Sequence, residues 1–236
     1  GDQDVFVDSY DGIQFFRNTG TVKNPIFAVP QTDPFGLIGT DCEFVDIDSD
    51  GDFDAFADFM FYKNIGTAVN PNLAPPVKDT SGLGFSKPRF VDIDNDGDFD
   101  AFVGSGDFFG GGDLEFFRNI GSKIKPIFHR DGSKPFGLGA PGSYHKPSFA
   151  DIDNDADIDV FISNNNGDTY FFKNMGSGNN PSFASSSSFG MDNVEFFSNS
   201  TFADIDGDGD LDGFVGIGFS YDETTKGQTL FFENTG

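Results

Sequence analysis

Apolar residues in this chain come in short runs, and the runs recur. DAFADF at 54–59, DAFVGS at 100–105, DVFISN at 159–164 and LDGFVGI at 211–217 are rich in Phe, Val and Ile, residue types that suit a pleated, half-buried surface, so each predicts a strand. A second set, CEFVDI, PRFVDI, PSFADI and STFADI, ends at 47, 93, 152 and 205, just ahead of the first set. A third set pairs two aromatics with a charged residue and Asn-x-Gly: IQFFRNTG at 13–20, MFYKNIG at 60–66, LEFFRNIG at 114–121, TYFFKNMG at 169–176 and LFFENTG at 230–236. It reads as an aromatic strand entering a turn, with Asn and Gly taking left-handed backbone angles. Seven residues separate this Asn from the next Pro in every case where both occur: Asn18 to Pro25, Asn64 to Pro71, Asn119 to Pro126, Asn174 to Pro181. Constant spacing predicts a constant turn. An extended stretch follows each Pro, then Phe35-Gly36-Leu37 or its relatives Ser81-Gly82-Leu83, Phe136-Gly137-Leu138 and Phe189-Gly190-Met191.

Between the first two sets lies the polar part of the repeat. The frame D-x-D-x-D-G-x-x-D occurs at Asp46, Asp48, Asp50, Gly51 and Asp54, at Asp92, Asp94, Asp96, Gly97 and Asp100, and at Asp204, Asp206, Asp208, Gly209 and Asp212. Asp151, Asp153, Asp155 and Asp159 repeat it with Ala156 in the glycine place. Side-chain oxygens from positions 1, 3, 5 and 9 and a backbone carbonyl at position 7 (Asp52, Asp98, Asp157, Asp210) converge on one hard cation, and glycine at 6 permits the sharp turn. Calcium is the expected ion, about four per chain. Ala156 is expected to be strained by a positive φ. The Glu that a helix-loop-helix calcium loop carries at position 12 is replaced by Ala57, Val103, Ile162 and Val215, so the loop joins strands and not helices.

Loop starts at 46, 92, 151 and 204 give a repeat of roughly 46 to 59 residues. Four short strands per repeat cannot bury both faces alone and must stack on neighbours. Units of this size predict an all-β fold, a β-propeller of four-stranded antiparallel blades. The expected units in the single domain 1–236 are 1–42, 43–88, 89–147, 148–200 and 201–236. About five blades are visible, with the first and last incomplete. Gly1-Asp2-Gln3-Asp4 matches positions 6 to 9 of the loop, so a fifth ion near Asp2 and Asp4 would need ligands from outside the chain. The two ends are not expected to complete each other. The expectation is that the chain belongs to a larger ring, the alternative being strand sharing with a neighbouring chain.

The pairing of F-x-D-I-D-x-D-G-D-x-D with F-F-x-N-x-G and N-P-x-F resembles the FG-GAP/VCBS repeat family, whose calcium-bearing blades also occur in the integrin α-subunit head. The resemblance covers nearly the whole chain. It implies that each Asp loop joins a blade's first and second strands at the rim of one propeller face, with calcium held there. The longer inserted loops of an integrin are absent.

Composition narrows the function. Phe occurs 33 times and Trp never, so aromatic packing rests on phenylalanine. No apolar run approaches the roughly 18 residues of a membrane-spanning helix. The net charge is −25, and four calcium ions would bring it to about −17. No basic patch exists to neutralise nucleic-acid phosphates. Cys42, the single cysteine, has no disulfide partner in the chain. Carboxylate loops of this kind suit the calcium levels outside cells or in a periplasm. No nucleophile is assembled with a base, and calcium would lower the pKa values that acid/base chemistry needs raised, so no enzyme is expected. His129 and His145, near Arg130, Asp131 and Tyr144, read as solvated loop residues. Asn199-Ser200-Thr201 fits a glycosylation acceptor and is read as chance. Loops of varying length carry recognition on a fixed scaffold, which makes Phe108, Phe109, Tyr221, Asp222 and Lys226 the candidate ligand contacts. The expected function is a calcium-stabilised extracellular, secreted or surface-displayed module for adhesion, assembly or protein interaction, with a protein or glycan partner. The alternatives are a carbohydrate-binding lectin and a non-catalytic domain of a polysaccharide-processing enzyme.

Overall fold

In the computed structural model, residues 3–9, 12–21, 23–39, 41–58, 60–78, 83, 88–104, 112–184, 187–188, 191, 198–217 and 229–234 are described. They form five antiparallel sheets, each a meander of consecutive strands. The first sheet contains β1 (Val5–Ser9), β2 (Gly12–Phe16) and β3 (Gln31–Thr32). The second contains β4 (Cys42–Val45), β5 (Asp54–Ala57), β6 (Met60–Tyr62) and β7 (Val77–Lys78). The third contains β8 (Pro88–Val91), β9 (Asp100–Gly104), β10 (Leu114–Asn119) and β11 (Phe128–Ser133). The fourth contains β12 (Lys146–Ala150), β13 (Asp159–Ser163), β14 (Thr169–Phe172) and β15 (Ser187–Ser188). The fifth contains β16 (Asn199–Ala203), β17 (Asp212–Gly216) and β18 (Thr229–Phe232).

The three strand sets of the sequence are thus the first, second and third strands of each full sheet. The fourth strand is only two residues long, except for β11. The start of the stretch after the Pro pairs instead through an isolated bridge such as Asn64↔Leu73. The first and last sheets have three strands, as expected from the incomplete terminal units.

The second strands explain how the sheets stack. β5 and β13 are buried along their whole length, on both faces, a pattern that requires a layer on each side. Those layers are the neighbouring sheets, and phenylalanine joins them. Within each sheet one ring from the strand before the aromatic strand (β1, β5, β9, β13, β17) meets one from the aromatic strand itself (β2, β6, β10, β14, β18): Phe6–Phe15, Phe56–Phe61, Phe102–Phe116, Phe161–Phe171 and Phe214–Phe231, with centroids 4.8 to 5.2 Å apart. A ring from the first strand of the following sheet completes each of the first four pairs: Phe6–Phe44, Phe56–Phe90, Phe102–Phe149 and Phe161–Phe202, at 4.2 to 5.0 Å. These offset, tilted geometries are the favourable ones for aromatic rings. Leu37, Leu83, Leu138 and Met191, the last residues of the Phe-Gly-Leu stretches, are buried beside the same clusters.

Polar contacts also run from sheet to sheet. Arg89 on β8 donates to Asp41 Oδ1 (2.7 Å) and lies 3.5 Å from Glu43 on β4, while Lys146 on β12 lies 3.7 Å from Asp41. Asp8 on β1 accepts from the Cys42 N–H (3.1 Å). Residues from four sheets therefore meet in one largely buried ionic cluster. Burial raises the Asp8 and Glu43 pKa values. Burial opposes the charge on Arg89 too, but the Asp41 and Glu43 carboxylates outweigh it and hold the guanidinium protonated. The Cys42 thiol is pushed up by burial and by Asp8, so it is inert as a nucleophile.

Candidate metal centres

Each Asp loop is a hairpin connection closed by a strand pair. Val45 pairs with Asp54, Val91 with Asp100, Ala150 with Asp159 and Ala203 with Asp212. The residue before position 1 therefore faces position 9 across the ladder, and the intervening residues fold into a tight cradle. Position 1 holds that cradle. Asp46 accepts the Asp50 and Gly51 N–H groups, Asp92 those of Asp96 and Gly97, Asp151 those of Asp155 and Ala156, and Asp204 those of Asp208 and Gly209. The turn also needs left-handed backbone. At position 6, φ is 96° at Gly51, 95° at Gly97 and 103° at Gly209, and Ala156 is forced to 72°. Position 4 is left-handed as well, at Ser49, Asn95, Asn154 and Gly207, a requirement the sequence reading did not identify.

Carboxylate oxygens of Asp46, Asp48 and Asp50 lie within 4.8 Å of one another, as do those of Asp92, Asp94 and Asp96, of Asp151, Asp153 and Asp155, and of Asp204, Asp206 and Asp208. Crowded carboxylates alone do not make a metal site, but position 9 supplies a second observation. Asp54, Asp100 and Asp159 are 0%, 2% and 0% exposed. In each, Oδ1 accepts one backbone N–H, from Asn64, Asn119 or Asn174 (2.7 to 2.8 Å), while the buried Oδ2 has no hydrogen-bond partner. Asp48, Asp52, Asp94 and Asp98 each leave one buried oxygen unpaired in the same loops. Burial pushes the Asp54 and Asp159 pKa values up to about 6 and that of Asp100 up to about 7, against the lowering effect of the Asn N–H bond. Buried oxygens without donors are costly, and an oxygen-seeking cation removes that cost. The donor set is all oxygen, which suits a hard divalent ion and not a thiophilic metal. The residues present fit such an ion.

In the fourth loop, Asp212 Oδ2 accepts from the Ile205 N–H at 3.4 Å and Oδ1 from the Asn234 N–H at 2.9 Å. Near the N-terminus, Asp4 Oδ1 accepts the Asn18 N–H at 2.7 Å, so Asp4 plays the position-9 part in the first sheet.

The Asn of the aromatic signature is a hub whose role differs from the expected left-handed turn. None of Asn18, Asn64, Asn119 and Asn174 has a positive φ. Their side chains are buried, and each Oδ1 accepts two N–H groups, from the Gly two residues on and from the residue eight on, such as Gly66 (2.9 Å) and Asn72 (3.0 Å) for Asn64. The glycine is required by contact and not by torsion. A Cβ on Gly20, Gly66, Gly121 or Gly176 would sit 2.2 to 2.4 Å from the carbonyl oxygen four residues ahead.

The charged residue before this Asn also reaches the metal loop. Lys63 pairs with Asp48 and, at 3.2 Å, with Asp50. Lys173 pairs with Asp153 and, at 3.2 Å, with Asp155. Arg118 pairs with Asp94 and, at 3.4 Å, with Asp131. Sequence reading saw a charge there without its target. The available signal was its constant place just before the Asn, since its distance to the Asp loop varies, at 15, 24 and 20 residues.

The remaining candidates divide. Phe108, Phe109, Tyr221, Asp222 and Lys226 lie outside the described residues, as does Asp2. His129 is exposed on β11 and Arg130 pairs with Glu115 at 2.6 Å. His145 is not solvated but 5% exposed, and its backbone runs so close to Gly104 that a Cβ there would collide with the His145 carbonyl. No described helix is long and apolar enough to cross a membrane.

Residues 151–215, from the third complete Asp loop through β17, match the FG-GAP-like repeat family, the one resembled by the sequence motifs. This stretch is an FG-GAP-like repeat. It contains both the alanine-bearing loop and the Asp204 loop, and its internal order of loop, second strand, aromatic strand and Asn turn is that of the preceding sheets. No curated protein matches the chain.

Proposed function

We propose that the chain is a calcium-stabilised, non-enzymatic β-propeller module that acts outside cells, in adhesion, assembly or protein interaction with a protein or glycan surface. The observation that carries the metal part is the buried, unpartnered Oδ2 of Asp54, Asp100 and Asp159, set among Asp triplets in the same hairpin. The radial arrangement is supported by the repeated sheet-to-sheet phenylalanine contact and by the ionic cluster in which Asp8, Asp41, Arg89 and Lys146 bring four successive sheets together. Such a platform is rigid where the loops hold an ion, and rigid scaffolds presenting variable loops are the usual basis of recognition. Calcium as the ion and an extracellular setting follow together, since oxygen-only loops of this type bind at the concentrations found there, on the order of 10⁻⁴ to 10⁻³ M.

Thermal unfolding with and without calcium tests the reading. Stripping with EDTA lowers the melting temperature and millimolar calcium restores it, whereas magnesium, which prefers a tighter octahedral shell, restores less. A melting temperature indifferent to EDTA overturns the calcium reading. A glycan array run in calcium then separates partners. Reproducible, chelation-sensitive binding to one sugar class makes the module a lectin, and turnover of a polysaccharide overturns the non-enzymatic assignment.

A further inference from the structure

The loops are not equivalent, and the difference lies beside them. In the second, third and fourth sheets the residue preceding the hub Asn is Lys63, Arg118 or Lys173, and each pairs with the position-3 carboxylate of its own sheet's loop. In the fifth sheet this residue is Glu233. The registers are equivalent: Tyr62 pairs with Ala55, Phe117 with Ala101, Phe172 with Val160 and Phe232 with Gly213, each one residue after the position-9 Asp and one before the charged residue. The hub bond is kept too, with Asn234 N–H donating to Asp212. Among the described residues no lysine or arginine pairs with Asp204, Asp206 or Asp208.

We propose that Lys63, Arg118 and Lys173 are tethered cations that compete with the divalent ion for three of the loops, and that Glu233 makes the 204–212 loop the tightest site. The inference rests on the calcium reading above. The side-chain cation takes only part of what each loop offers. Asp48 Oδ1 and Asp94 Oδ1 remain buried and unpaired beside it, as do the position-9 oxygens. A divalent ion entering such a loop must share the position-3 carboxylate with a fixed positive charge or displace it. At the Asp204 loop the equivalent register position carries a negative charge, which favours the incoming ion. The Lys63 and Arg118 side chains are 39% and 36% exposed, so solvent and salt screen the competition and it is strongest at low ionic strength. The tethered cations also neutralise the loops without calcium. Chelation should therefore loosen the fifth sheet before the middle three.

The test is calcium titration of the metal-stripped protein by calorimetry at low salt, with wild type, Lys63→Gln, Lys63→Arg and Glu233→Lys. Wild type should show one tight site and a weaker class. Lys63→Gln should move one weak site to roughly ten-fold tighter binding, Lys63→Arg should leave it unchanged, and Glu233→Lys should weaken the tight site roughly ten-fold. Melting gives a second reading. Lys63→Gln should lower the melting temperature in EDTA yet narrow or reverse that deficit in calcium, whereas a purely structural lysine would give the same loss in both. Calcium binding to four equal sites, or a tight site indifferent to Glu233→Lys, overturns the inference while leaving the calcium reading intact. Absence of any calcium binding in wild type overturns both. If Lys63→Gln does not fold, the Glu233→Lys titration alone decides.

Discussion

Asn64 works from a position 2% exposed. Its N–H orients Asp54, and its Oδ1 closes the turn that follows by accepting from Gly66 and Asn72. Asn64→Ala removes that acceptor and leaves two turn N–H groups to find others, at a cost of about 2–4 kcal/mol. Chemical denaturation should show this as a lower midpoint with an unchanged slope, and a midpoint within error of wild type would remove the hub role. Ala156 makes the opposite case. It stands at φ 72° where its counterparts are glycine, and a left-handed non-glycine residue costs about 1–2 kcal/mol. Ala156→Gly should therefore raise stability by up to about 1 kcal/mol after the added freedom of the unfolded chain is subtracted. The aspartates and this strained alanine were legible because ligand spacing and glycine placement are properties of the local chain. Asn64 as a hydrogen-bond hub was not, because its partners are backbone groups whose positions exist only once the hairpin has formed.

At the scale of the element, the first three complete loops store electrostatic cost that an ion relieves, and pH exposes that cost when the ion is removed. Asp54, Asp100 and Asp159 have pKa values of about 6, 7 and 6 in the metal-free fold, against about 3.9 in an unfolded chain. The folded state thus binds more protons between these limits, and stability falls as pH rises from about 4 to about 7. Asp50 and Asp155 are shifted down, Asp50 chiefly by Lys63 and Asp155 chiefly by the Asp157 N–H, but both are exposed and the opposing effect is screened. In EDTA the protein should melt at a higher temperature at pH 5 than at pH 7.5. Calcium should reverse the order, because protons then compete with the ion for the same oxygens. Equal melting temperatures at the two pH values in EDTA would mean that the position-9 carboxylates do not carry this cost. The strands around the loops were legible from their apolar runs. The fourth strand was not, because the extended stretch after each Pro satisfies much of its backbone through the Asn turn and reaches the ladder for only two residues in most sheets.

For the whole molecule, ring packing is a chain of nearest-neighbour interfaces, and the same three-ring contact serves each of the four between successive sheets. The repeat predicted stacking, since a lone four-stranded sheet cannot bury both faces, yet the ionic cluster was not legible. Asp8, Asp41, Arg89 and Lys146 are far apart in sequence, and although Asp41 and Lys146 each stand five residues before the first aspartate of a loop, only the packing of successive first strands brings them together. The ring contact can be tested by comparing a ring inside an interface with one outside it. Phe102 is fully buried between Phe116 and Phe149, at 4.9 and 5.0 Å, in the interface between the third and fourth sheets. Phe231 pairs with Phe214 at 5.2 Å on the fifth sheet, where among the described residues no ring of a following sheet caps it, and it is 52% exposed. Phe102→Ala opens a cavity in a continuous core and should cost about 3–5 kcal/mol. Phe231→Ala removes a half-exposed ring and should cost about 1 kcal/mol or less. Because coupling between repeats makes unfolding cooperative, the Phe102 change should also separate the transition into two, with the first three sheets no longer melting together with the last two. A single transition with equal losses for the two variants would mean that the interfaces do not carry the stability assigned to them.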